Sequence, residues 1–123
     1  MKLSDLFEYS SANPFVGIVS AIDLRVREAG AAAHASSHTS IFISSLKSQV
    51  QTLLKFLQSG KDWNVPEQKL RSQLHAALPE IMKHVSAALV SIASGSIKSA
   101  HDHLMSARKT AVKRSHLTFG DIE

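Results

Sequence analysis

The chain has 123 residues, of which 44% are apolar and 20% charged, with a formal net charge of +4 and no cysteine. That length suits one hydrophobic core and not two, so a single domain over 1–123 is expected, and the apolar fraction argues against a disordered polymer. The lack of cysteine excludes disulfide scaffolds, thiolate metal sites and cysteine nucleophiles, and fits a reducing, cytoplasmic setting.

Residues 1–13 read as a short amphipathic lead in which Leu3, Leu6, Phe7 and Tyr9 can fold back onto the rest. Asn13 followed by Pro14 marks a helix start, since Asn accepts from an orphan backbone N–H and proline needs no donor in the first turn. From there Phe15, Val19, Ile22, Val26, Ala29 and Ala33 recur by fours and threes, and the rhythm returns at Ile43, Leu46, Val50, Leu53 and Leu57. This is the seam of an all-α protein. Between the two halves, Gly30 to Ser40 carries no large apolar side chain, which leaves two readings. Either the helix continues, or it breaks near Gly30 or Ser36-Ser37 into two antiparallel helices of an ordinary four-helix bundle. The high helix propensity of alanine favours continuity. A continuous helix from Pro14 to Leu57 would be roughly 66 Å long, more than a compact domain of this size needs, and so calls for self-association as a homodimer.

Ser59-Gly60 is the expected end of that helix, through glycine's tolerance of the left-handed conformation. Trp63 in the connector reads as an aromatic closing the end of the core. A second helix follows Pro66, with the stripe Leu70, Leu74, Leu78, Ile81, Val85, Leu89 and Ile92 beside Ala77 and Ala88. Pro79 falls inside the stripe, which resumes in phase, so a kink is expected there and not an end. Gly95 stops this helix and Ser96 caps a third, whose apolar face is Ile97, Ala100, Leu104, Ala107 and Ala111. Residues 115–123 read as a frayed tail. No apolar run approaches the roughly 18 residues of a membrane span, and the layout of a secretory signal is missing, so no membrane partner is expected.

Seven histidines invite a chemical reading. His34 and His38 share a face of a continuous helix, yet no third ligand stands in the adjacent turns, so no metal site is expected. His101 and His103 point to different faces. Histidine phosphotransfer domains are four-helix bundles of similar length, but they usually follow their histidine with an apolar residue, Lys and Gly at plus two, three and four. Here His103 is followed at those places by Met105, Ser106 and Ala107, and His84 and His101 fit no better. No nucleophile elbow, phosphate-cradling glycine loop or facing carboxylate pair is present, so neither an enzyme nor a cofactor is expected.

The cations remain. Residues 98–116 hold five Lys and Arg against one acid, so the third helix is the basic element. Lys47, Gln51 and Lys55 form an i, i+4, i+8 row; Lys69, Arg71 and Lys83 lie on the second helix; Lys98, Arg108, Lys109, Lys113 and Arg114 lie on the third. Cations about one helical turn apart suit a phosphate backbone, and the scarcity of aromatics among them disfavours stacking on single strands. The expectation is a non-catalytic protein that binds nucleic acid, duplex RNA favoured, by shape and phosphate contacts. In outline, two chains forming an elongated four-helix platform, it is similar to nodavirus-type silencing suppressors, although no residue motif accompanies the likeness. The alternative is an α-helical adaptor of the chaperone, inhibitor or immunity type that docks a protein partner.

Overall fold

The computed structural model describes residues 14–34 and 40–115. They form α1 (Pro14–His34), α2 (Ser40–Gln58), a 3-10 turn at Ser59–Asp62, α3 (Gln68–Ala93) and α4 (Ile97–Ser115), with no strand among them. The protein is an all-α helical bundle. The lead 1–13, the pair Ser36-Ser37, His38 and the tail 116–123 lie outside the described residues.

The long N-terminal helix is not formed: α1 and α2 lie side by side. Arg25 Nη1 donates to Gln49 Oε1, a hydrogen bond between residues 24 apart in sequence. On one straight helix those residues would stand about 36 Å apart. Packing continues round the bundle, with α2 on α3, α3 on α4 and α4 back on α1. The chain thus runs up, down, up and down. The reason is magnitude. α3 has 26 residues, about 39 Å of helix, and cannot cover a 66 Å seam. Folding back buries Leu46, Val50, Leu53 and Leu57, each worth about 1.5–3 kcal/mol, whereas helix propensity in the Ala-Ser segment amounts to tenths of a kcal/mol per residue. The chain therefore covers its own seam, and no bare rod remains to require a homodimer or an elongated two-chain platform.

One core joins all four helices. It contains Phe15, Val19, Ile22, Val26 and Ala29 from α1, the four α2 residues just named, and Leu70, Leu74, Leu78, Ile81, Val85 and Ile92 from α3. From α4 come Ile97, Ala100, Leu104, Ala107 and Ala111. Ala33, Ile43 and Leu89 sit at its edge, half-buried. α3 runs through Pro79 as one helix. By length and composition α3 alone among the described residues could cross a membrane, yet eight of its apolar side chains are buried in this core.

The connectors show how two glycines act differently. Gly95, at φ 84°, is the left-handed residue that ends α3. The Ser96 N–H reaches back to the Ser91 carbonyl at 2.8 Å and the Gly95 N–H to that of Ile92 at 3.0 Å, a Schellman closure. Gly60 serves close approach instead of the left-handed turn expected of it. A Cβ there would lie 2.8 Å from Leu78 Cδ1. Trp63 closes this end, its ring centroid 4.8 Å from that of Phe56 and its Nε1 donating to Ser59 Oγ at 3.1 Å. Val65, whose place in the core the sequence pattern did not reveal, is also buried.

Two outcomes are expected in urea melts. Gly60→Ala lowers stability by about 1–3 kcal/mol, because Leu78 is boxed in and overpacking has no outlet. Gly95→Ala costs about 1 kcal/mol through φ alone, since nothing lies within 4 Å of its would-be Cβ. Val50→Asp with Leu53→Asp unfolds the chain, read as loss of helical circular dichroism, because both positions are interior to the bundle.

Candidate nucleic-acid interface

The ten cations of the expected site divide by chemistry. Lys47, Lys55, Lys69, Lys83, Lys98, Lys109 and Lys113 are exposed, and none forms an ion pair among the described residues. All three arginines are engaged. Arg71 Nη1 donates to the Val65 carbonyl at 3.1 Å and ties the connector to α3. Arg108, half-buried, places Nε 3.2 Å from Asp23 Oδ1 and pins α4 to α1, while the other Asp23 oxygen takes Arg27 at 2.9 Å. Arg114 closes on Glu80 Oε2 with Nε at 2.8 Å and Nη2 at 2.7 Å. The pattern follows from side-chain character, since the planar guanidinium fork matches a carboxylate and the ammonium prefers water.

The bundle brings some of these residues together and separates the rest. Near the C-terminal end of α4, a cleft of about 310 Å³ opens between α3 and α4, lined by Gln73, Ala76, Lys113 and Arg114. Lys69 precedes Gln73 by one helical turn on the same flank of α3, and Glu80 follows Ala76 by another. Two elements thus bring two cations and one amide to a single groove, with Lys69 one helical turn away on α3. The sequence pattern did not single out Gln73; its i+4 spacing from Lys69 was the available signal. Lys98 stands about 22 Å up α4 from Lys113, at the end where Ser91 and Ser99 hydroxyls meet at 3.2 Å. Lys47 and Lys55 belong to α2, which packs on α3 while α4 lines another flank of that helix. The ten residues are therefore spread over several faces, and Lys113 and Arg114 are the pair that shares a cleft, with Lys69 one helical turn from its Gln73.

A second cleft, about 230 Å³ and mostly apolar, lies between α1 and α2 and is lined by Glu28, Ala31, Phe42, Ser45 and Leu46. Leu24 and Ile41 are exposed apolar residues on the same two helices. Among the described residues no three His, Asp or Glu side chains converge on a point where a metal ion could sit. His101 is placed by packing, its Nε2 lying 3.2 Å from where a Gly30 Cβ would be. The glycine lets α4 approach α1 there.

Arg108 is expected to act on stability and not on ligands. Arg108→Gln lowers unfolding free energy by about 0.5–1 kcal/mol, and the double-mutant cycle with Asp23→Asn in urea returns a coupling of that size. Comparison of the chain with protein-family models, with curated proteins and with solved structures gives no match.

Proposed function

We propose that this protein is a non-catalytic nucleic-acid-binding bundle that holds the phosphate backbone of a duplex, RNA favoured, in the groove between α3 and α4. The observation that carries the reading is the convergence of Lys113 and Arg114 from α4 with Gln73 from α3 on one cleft; Lys69 stands one helical turn from Gln73 on α3. Cations at helical spacing neutralise successive phosphates and release condensed counterions, and an amide adds a donor without adding charge. Among the described residues no exposed aromatic flanks the groove, so it is suited to backbone and shape and not to stacked bases. Lys109, Lys98, Lys83, Lys47 and Lys55 extend the positive field around the bundle and serve encounter more than docking.

A protein partner is the second reading, favoured by the mostly apolar α1–α2 cleft, whose lining includes the exposed Phe42. Salt separates the two. Phosphate binding weakens linearly on a log–log plot, while apolar docking barely responds.

The test is a gel shift with duplex RNA, duplex DNA and single strands at several salt concentrations. Replacing Lys69, Lys113 and Arg114 with Gln is expected to weaken duplex binding for all sequences alike and to flatten the salt slope by about 0.9 for each phosphate no longer neutralised. Lys47→Gln with Lys55→Gln weakens it less, because α2 lies away from the groove. Helicity stays unchanged in both variants, since exposed charges contribute little to stability. Wild-type protein that binds no nucleic acid at any salt, or a groove variant that binds as well as wild type, overturns the reading.

A further inference from the structure

Glu80 occupies an unusual position relative to the groove. A single oxygen of its carboxylate, Oε2, takes both Nε and Nη2 of Arg114, at 2.8 and 2.7 Å, and Arg114 itself lines the cleft with Lys113 and Gln73. A carboxylate oxygen held by a guanidinium fork stands where a phosphate oxygen would be held, because the two anions present similar acceptors to the same donors. The pair is solvent-exposed, its side chains 53% and 42% accessible, so it is weak and can exchange. Lys113 and Lys69, by contrast, make no ion pair among the described residues.

Resting on the reading of the α3–α4 groove as a phosphate site, we infer that the Arg114 fork is its phosphate-orienting position and that Glu80 is a built-in competitor for it. In the free protein Glu80 holds the guanidinium in place over the groove. When a phosphodiester enters, Arg114 transfers its two N–H donors from Glu80 Oε2 to phosphate oxygens, and the carboxylate returns to water. The competition lowers affinity and keeps an arginine, a side chain well matched to many anions, satisfied until a polyanion already engaged by Lys69 and Lys113 arrives.

The test uses the full chain and a duplex RNA probe at about 0.1 M salt, where the Debye length is about 10 Å, with four variants. Glu80→Gln is expected to bind about twofold to fivefold tighter than wild type, the range an exposed ion pair can supply. Removing a negative charge elsewhere could raise affinity through the general field, so Asp102→Asn, an exposed acid on α4 about 18 Å from Arg114, is the control and is expected to bind close to wild type. In an Arg114→Gln background, Glu80→Gln gives no gain, because no guanidinium is left to compete for. A gain from Glu80→Gln that equals that of Asp102→Asn, or that persists without Arg114, overturns the competitor role while leaving the groove as the binding site. Absence of duplex binding by the wild type overturns the groove reading and this inference with it.

Discussion

The α3–α4 hairpin is the surface on which the other helices are assembled, with α1 lying along α4 and α2 along α3, while α1 and α2 touch each other less than either touches the hairpin. Its closeness has a compositional cause. The buried stripe of α4 is mostly alanine, with Ala100, Ala107 and Ala111 completely covered, and Ala77 and Ala88 stand in the stripe of α3. Helix axes approach according to the size of the side chains between them, so small residues let α4 pack on both α3 and α1 with little void. The Schellman closure at Gly95 then sets the reversal, fixing the relative height of the two helices before any long-range packing is needed. Five alanines and one glycine, small residues with no chemistry of their own, make the central pair.

The α1–α2 interface is of another kind. Arg25, largely covered, reaches Gln49 across it and lies 2.9 Å from Glu28 on its own helix. Polar pairs at an interface offset their desolvation only when well satisfied, and here Glu28 Oε1 is buried without a well-aligned hydrogen bond. Stability from these polar groups is correspondingly small. Their contribution is to register: Arg25 opposite Gln49 aligns the two antiparallel helices, while the apolar stripes beside them supply the free energy.

Charge on this molecule follows the same division between structural and exposed roles. Arg71, Arg108 and Arg114 each hold two segments together, whereas the seven lysines of the same set extend into solvent. A surface so arranged attracts anions broadly through its lysines. Where α3 and α4 converge, it offers a guanidinium, an ammonium and an amide to the same point, and the proposed phosphate groove rests on that convergence and not on net charge.

Much of the architecture was legible in the sequence because it depends on local periodicity. The stripes of α3 and α4, the stop at Gly95 and the passage of α3 through Pro79 follow from spacing, φ preference and phase, all properties of neighbouring residues. The reversal between α1 and α2 was not decided there. Alanine propensity favours continuity, and what opposes it is the burial of Leu46, Val50, Leu53 and Leu57 in a core shared with distant parts of the chain. Helix α2 does end beside Gly60, at Gln58, as the sequence indicated, but the glycine is there for the approach of Leu78 and not for a left-handed turn, which only packing reveals. The cations were identifiable as residues, but their grouping was not. Which lysines share a groove depends on the order of helices around the bundle, and that order comes from how apolar surfaces cover one another, which charge and spacing along a single chain do not encode.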